Sequence, residues 1–208
     1  MIVTGADVET VYTREEPRVS KLGLDMGVRL PLRTDWPANE PVNGQNPYNA
    51  WVVVLPVRND DGSLAFAPAL IPRSADVAME YLPLERPAIV RQSFKFLGER
   101  YGWGHDYGTR DCSGFVSEVY RSFGVVLPRN TSDQATSPAL DRVAFADGDV
   151  EARRKAVKAL DTGDLVYIPG HVMMVIGKDR GLHYVIHDTT GFNSRGADGA
   201  IERVKLNG

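Results

Sequence analysis

The chain has 208 residues, of which 43% are hydrophobic and 25% are charged, and this ordinary globular composition excludes global disorder. Its 24 basic and 27 acidic side chains leave a net charge of −3, which argues against the nucleic-acid-binding class because such proteins need a basic surface. No apolar run approaches the ~20 residues of a membrane-spanning helix. The single cysteine excludes an internal disulfide framework and a cysteine-rich zinc site.

The first part of the chain is rich in proline and in short β-type segments. Residues 51–57 (WVVVLPV) and 63–71 (SLAFAPALI) flank Asn59–Gly62, and a glycine that tolerates positive φ between two such runs indicates a hairpin. Short strands with frequent turns and no helical period are typical of a small barrel or sandwich. We therefore expect an all-β unit over residues 1–85.

From Pro87 onward the pattern takes a helical period. Four apolar positions are predicted to share one face of a first helix: Val90, Phe94, Leu97 and Tyr101. A second helix is predicted from Cys112 to Phe123, with Asp111 as its N-cap and Gly124 as its stop. After a third helix over residues 151–160, strand-type segments dominate to the end of the chain. Helices followed by antiparallel strands predict an α+β domain over residues 86–208.

Cys112 is predicted to be the first residue of the second helix. Free N–H groups and the helix dipole favour an anion at such a position, so we expect a lowered thiol pKa and a thiolate–imidazolium pair with a facing histidine. The alternative is a buried structural cysteine, because Cys112 also lies on the apolar face of this helix.

Four histidines are available to serve as the base for such a thiol. His171 opens one predicted strand and His187 ends the next, so a hairpin would bring the two imidazoles together and let the second fix the tautomer of the first. His183 shares the strand face of His187 and competes with it for this role. His105 precedes the cysteine. A zinc site made by Cys112, His171 and His187 is the less favoured alternative.

Three segments together resemble the NlpC superfamily of bacterial cell-wall cysteine peptidases. Residues 101–134 (YGWGHDYGTRDCSGFVSEVYRSFGVVLPRNTSDQ) are similar to its nucleophile segment, residues 161–177 (DTGDLVYIPGHVMMVIG) to its base segment, and residues 185–191 (VIHDTTG) to the segment of its third polar residue. The resemblance implies a papain-like α+β fold, with helices packed on an antiparallel sheet. The preceding residues 1–85 resemble, less closely, a bacterial SH3-like domain.

The resemblance also implies roles for individual residues. Cys112 is expected to be the nucleophile, His171 the base and His187 the orienting residue. Five further positions are expected to bind substrate: Tyr101, Asp111, Ser113, Thr131 and Gln134. Asp111, whose charge would disfavour a neighbouring thiolate, is expected to bind a substrate ammonium group as well as to cap the helix. His105 stands where the family usually has a small residue.

The implied activity is hydrolysis of peptidoglycan stem peptides between γ-D-glutamate and the diamino acid. Peptidoglycan or muropeptide stem peptides are the expected partners, with no cofactor, metal, nucleic acid or membrane span. Two alternatives remain: an amidase or acyltransferase on another γ-glutamyl amide, and a catalytically silent cell-wall-binding module. We expect the protein outside the cytoplasmic membrane, with its export signal missing from this sequence. A cytoplasmic recycling enzyme is the alternative.

Overall fold

The computed structural model describes residues 1–146 and 148–206. The chain forms two compact units. The first consists of Met1–Pro83 together with Arg121–Gly124, and the second of Leu84–Tyr120 together with the residues from Val125 onward.

The first unit is built from short strands around one long hairpin. Its strands are β1 (Ile2–Val3), β2 (Val8–Glu9), β3 (Gly23–Leu24), β4 (Ala50–Arg58), β5 (Leu64–Pro72) and β6 (Val77–Ala78). Short 3-10 helices cover Pro17–Val19 and Pro47–Asn49.

The antiparallel hairpin of β4 and β5 confirms the predicted one. Its register runs from Ala50 opposite Pro72 to Arg58 opposite Leu64. Gly62 takes a φ of 86° in the turn, where a side chain would be disfavoured. Consecutive residues are buried on both strands, at 52–53 on β4 and 69–71 on β5, and Val53 and Ile71 lie in the core of this unit. The SH3-like identity of the unit stays a prediction.

The second unit holds all the α-helices described and the larger sheet. Its helices are α1 (Arg86–Phe94), α2 (Cys112–Arg121), α3 (Thr131–Thr136) and α4 (Val150–Ala159), and a 3-10 segment covers Trp103–Gly108. Its strands are β7 (Leu165–Ile168), β8 (His171–Asp179), β9 (Leu182–Ile186), β10 (Gly191–Arg195) and β11 (Ile201–Lys205). Within residues 1–146 and 148–206, no helix is both long enough and apolar enough to span a membrane.

The predicted apolar face of α1 is wrong. The helix ends at Phe94, Leu97 is 70% exposed, and Tyr101 lies well beyond the helix. The chain turns away because residues 95–97 form tighter turns and Gly98 adopts a φ of 90°. The buried positions of α1 are Ala88, Ile89, Gln92 and Ser93. Ser93 donates a hydrogen bond to the Met174 sulfur on β8 at 3.2 Å, which ties this face of α1 to the sheet.

Helix α2 follows the predicted pattern. It starts at Cys112, it buries Phe115, Val116 and Val119, and Gly124 takes a φ of 82° just past its end. Apolar side chains spaced three and four residues apart give the helix one continuous buried stripe. The nucleophile candidate therefore sits at the first turn of a firmly packed helix.

The sheet that carries the histidines has the strand order β7-β8-β9, with antiparallel pairs throughout. Strand β8 is central, and its residues Val172, Met174 and Val175 are completely buried. The register of β8 and β9 shifts between Val175 and Gly177, so Ile176 is an extra residue on β8, as in a β-bulge. Strand β10, which the sequence pattern did not predict, pairs with β11 in a separate hairpin.

Candidate active site

Cys112 lies at the point where α2 meets the start of β8. Its side chain is 6% exposed, and the backbone N–H of Val172, the residue after His171, hydrogen-bonds to its sulfur. Asp111 caps the helix as predicted, because its Oδ1 accepts a hydrogen bond from the Gly114 N–H at 2.8 Å. The thiol is thus held between a helix start and the strand that begins with the predicted base.

The imidazoles of His171 and His187 are in direct contact. His171 Nε2 and His187 Nδ1 lie 2.8 Å apart, and the ring planes meet at 68°. When His171 Nε2 carries the hydrogen and donates it, His171 Nδ1 is left as the nitrogen that can accept a proton. His183 contacts the carbonyl oxygen of Leu160 at 3.2 Å instead. The geometry therefore supports His187 rather than His183 as the orienting residue.

The pKa shifts of Cys112 and His171 run opposite to the predicted directions. Burial raises the pKa of the Cys112 thiol, and the nearby carboxylates of Asp111 and Asp188 raise it further, although the Val172 N–H opposes them. Burial lowers the pKa of His171, with a smaller effect of His187 in the same direction. Loss of solvent favours the neutral form of both groups. Both shifts therefore work against the predicted thiolate–imidazolium pair.

Asp111 already has a counter-charge within the protein. Arg129 donates from Nη1 to Oδ1 at 3.0 Å and from Nη2 to Oδ2 at 2.7 Å. Burial opposes the ionisation of Asp111, but the bonds and charge of Arg129, with the Gly114 N–H, outweigh it and lower the pKa of Asp111 to about 2. The capping role of Asp111 is confirmed, and its binding of a substrate ammonium group stays a prediction.

Ser113 and Tyr101 lie close to the nucleophile. The Ser113 hydroxyl donates to Asp111 Oδ1 at 3.1 Å and accepts from Arg129 Nη1 at 2.9 Å. Burial and the charges of Cys112 and Asp111 raise the pKa of Tyr101 to about 12. The phenol of Tyr101 therefore stays a neutral hydrogen-bond donor beside the thiol.

Gln134 lies inside the protein rather than facing a substrate. Its side chain is 3% exposed, and its amide nitrogen contacts Pro128 O at 2.8 Å, Ser117 Oγ at 2.9 Å and Ser113 O at 3.3 Å. The amide joins α3 to α2 and so braces the two helices, and its expected substrate-binding role stays a prediction. Thr131 is the half-buried first residue of α3, and its substrate-binding role stays a prediction.

Sequence reasoning missed a connected set of charged side chains around α2. Glu118 is 2% exposed, and both its carboxylate oxygens accept from Arg110 Nε, at 3.0 and 3.1 Å. Arg110 also donates to Glu99 at 3.0 Å, and His105 joins Glu118 to Arg129. An acidic residue within the otherwise apolar centre of α2 was the available signal, because buried charges need partners.

Asp188, which directly follows His187, was also missed. It lines a cavity of about 80 Å³ together with Glu99, Arg110 and His187. Burial and the neighbouring charges of Glu99 and Asp111 raise the pKa of Asp188 to about 7, although Arg110 opposes them. The site therefore contains a carboxyl group that titrates near neutral pH.

The zinc alternative gains no support from the positions of its ligand residues. Among residues 1–146 and 148–206, no group of three or more histidine, cysteine, aspartate or glutamate side chains is arranged to hold a metal ion.

Comparisons with curated proteins point to one family. Residues 98–198 match the model of the NlpC/P60 family. The chain is 26% identical over 142 residues to the gamma-D-glutamyl-L-lysine dipeptidyl-peptidase of Bacillus cereus, a match that covers 67% of this chain and 38% of that protein. It is 31% identical over 98 residues to the probable endopeptidase p60 of Listeria seeligeri, covering 46% and 18%. The chain thus spans well under half the length of these relatives.

Solved structures agree on the fold. An NlpC/P60 endopeptidase from Photobacterium damselae subsp. piscicida superimposes with a TM-score of 0.68 at 15% identity, covering 99% of this chain and 44% of that one. An NlpC/P60 family protein from Bacillus cereus gives a TM-score of 0.51 at 19% identity, covering 100% and 58%. The family likeness rests on the matched segment: residues 98–198 are similar to the NlpC/P60 family, and the two solved structures show that the fold is shared.

Proposed function

We propose that the chain is a cysteine peptidase that hydrolyses peptidoglycan stem peptides between γ-D-glutamate and the diamino acid. The observation that carries the proposal is the 2.8 Å contact between His171 and His187 beside a cysteine at a helix start. The bond specificity rests on the resemblance of the catalytic segments and on the name of the Bacillus cereus relative, which specifies a γ-D-glutamyl linkage.

The proposed first step is a proton transfer coupled to attack on the substrate. Since burial favours the neutral form of both groups, His171 Nδ1 removes the proton of the Cys112 thiol as the sulfur bonds to the carbonyl carbon of the γ-glutamyl amide. His171 then holds the proton and returns it to the nitrogen of the departing diamino acid. The remaining thioester is hydrolysed by a water molecule, which His171 activates in the same manner.

Three further groups serve this reaction. His187 accepts the Nε2–H of His171 and so keeps the other nitrogen of His171 available to the thiol; it also stabilises the imidazolium that forms. The backbone N–H of Cys112, at the first turn of α2, and the phenol of Tyr101 are donors for the oxyanion of the tetrahedral intermediate. Because burial keeps Tyr101 protonated, this donor is present throughout the neutral pH range.

The decisive experiment replaces Cys112 with serine and with alanine. Both variants are incubated with purified sacculi and with a synthetic L-alanyl-γ-D-glutamyl-diamino acid peptide, and thermal unfolding confirms that they are folded. We expect both variants to lose cleavage. Mass spectrometry of the wild-type products should identify a free amino group on the diamino acid. Undiminished cleavage by Cys112→Ala would refute the cysteine mechanism. Products cut or joined at another γ-glutamyl amide would point to an amidase or acyltransferase.

The proposed substrate also suggests a location. Intact peptidoglycan lies outside the cytoplasmic membrane, and we therefore place the enzyme there, acting on wall polymer. Fractionation of cells that produce the natural protein would test this placement, and recovery in the cytoplasm together with activity on short muropeptides only would favour a recycling role instead.

A further inference from the structure

The imidazole of His105 joins two charged side chains beside the proposed nucleophile. Its Nδ1 lies 3.1 Å from Arg129 Nη2, and its Nε2 lies 3.2 Å from Glu118 Oε1. An arginine can only donate and an ionised carboxylate can only accept. The neutral tautomer of His105 that carries its hydrogen on Nε2 therefore satisfies both partners at once.

The backbone holds this ring in place at a conformational cost. His105 has a φ of 72°, in the left-handed region, which residues with a side chain rarely adopt. Its ring also lies against α2 where only a glycine fits, because a Cβ on Gly114 would come within 2.8 Å of the imidazole Cε1. Unfavourable backbone conformations persist where their surroundings enforce them, and they are concentrated at functional sites.

Arg129 connects this ring to the first turn of α2. Its Nη1 donates to Asp111 Oδ1 and Ser113 Oγ, and its Nη2 donates to Asp111 Oδ2 and His105. The side chain is 44% exposed and projects from the segment between α2 and α3, so these bonds fix its orientation. Asp111 in turn caps the helix that begins with Cys112.

We propose that His105 is a positioning residue for the proposed peptidase reaction: it locks Arg129 against Glu118 and, through the bonds from Arg129 to Asp111 and Ser113, fixes the turn that carries Cys112. The kinetic test of this inference rests on the proposed peptidase function. The test by alkylation of the Cys112 thiol does not. Removing the imidazole nitrogens should take away one of the four contacts that hold the Arg129 guanidinium and should loosen the alignment of the thiol with His171.

The test compares His105→Phe, which keeps a ring but neither nitrogen, with His105→Gln, which keeps one acceptor and one donor. We expect His105→Phe to lower kcat by about tenfold with little change in KM, since small misplacement of a reacting group is costly. The glutamine variant should retain most of the activity. Thermal unfolding shows whether each variant is folded, and His105→Gly, which suits the left-handed backbone, replaces the phenylalanine variant if that one does not fold.

A double-mutant cycle shows whether His105 acts through Arg129. Arg129→Lys cannot make the paired bonds, so adding His105→Phe to it should lower kcat by less than about twofold more. Fully additive losses would overturn the proposal, as would a folded His105→Phe protein with wild-type kcat. Equal losses in the phenylalanine and glutamine variants would also overturn it, because the two nitrogens would then not matter.

Alkylation by iodoacetamide supplies a readout that needs no substrate. Cys112 is the single cysteine of the chain, so the rate constant reports on its thiol alone. We expect the rate to fall by about threefold or more in His105→Phe and to recover in His105→Gln, since thiolate reactivity depends on its surroundings. If the wild-type protein alkylates normally but cuts no γ-glutamyl peptide, the proposed function fails, and the alkylation rates still decide the role of His105. Identical rates in all three proteins would overturn that role.

Discussion

Replacing His187 with alanine removes the acceptor for the Nε2–H of His171 and so tests the orienting contact directly. The two half-buried rings are joined by one bond of 2.8 Å. Leaving such a donor without its partner costs about 1–3 kcal/mol. If that cost falls on the transition state, where the imidazolium forms, kcat should drop by about 5- to 150-fold. His187→Asn and His187→Gln keep an acceptor and should stay within about fivefold of the wild-type kcat.

Steady-state kinetics on a γ-D-glutamyl peptide provide the measurement, with His183→Ala as the matched control. His183 is another imidazole, on β9 four residues before His187, but it bonds to the carbonyl of Leu160, so its loss should change kcat by less than about twofold. The reasoning fails if His183→Ala abolishes turnover while His187→Ala leaves it intact. It also fails if the asparagine and alanine variants at position 187 lose activity equally, because geometry would then not explain the effect.

Three other predictions follow from pKa shifts and burial. Because burial lowers the pKa of His171 below its ordinary 6.5 and raises that of the Cys112 thiol above 9.0, kcat/KM should decline only below pH 6.5 and above pH 9.0. An acidic decline that begins above pH 6.5 would contradict the lowered pKa of His171. The pKa of Asp188 is raised from 3.8 to about 7, so its ionisation weakens the folded state as pH rises through that interval. Asp188→Asn should therefore raise the thermal unfolding midpoint more at pH 8 than at pH 4, and an equal shift at both would be inconsistent with a raised pKa. Gln134→Ala should lower the free energy of unfolding by about 1–3 kcal/mol in urea denaturation, whereas unchanged stability with a raised KM would support the substrate-binding role instead.

Elements with strong local signals could be predicted from the sequence. The hairpin of β4 and β5 combines β-type runs with a glycine turn, and α2 combines an N-cap, an apolar stripe and a terminal glycine, so several local preferences agree. The face of α1 could not be predicted in the same way. Its apparent period runs past the end of the helix, because nothing in the apolar spacing distinguishes a helical turn from the tighter turns before Gly98.

Some features of the candidate site could also be predicted from the sequence, and others could not. The proximity of His171 and His187 follows from strand pairing, which alternation and turn residues indicate. The partner of Asp111 could not be inferred, because Arg129 lies 18 residues away along the chain and approaches only through the packing of the segment after α2. The direction of the Cys112 pKa shift could not be inferred either. The helix start favours the thiolate, but the degree of burial, which outweighs it here, depends on the folded surroundings.

The bulge at Ile176 separates the hairpin of β8 and β9 into two halves with independent register. The extra residue has no partner on β9. It lies between the tight turn at Arg180–Gly181 and the end of the hairpin that holds His171 and His187. A residue gained or lost near the turn changes the pairing on that side only, and the bulge can form or vanish to absorb it. Length variation in evolution or in engineered loops is therefore expected to collect on the turn side, where it leaves the spacing of the histidines intact.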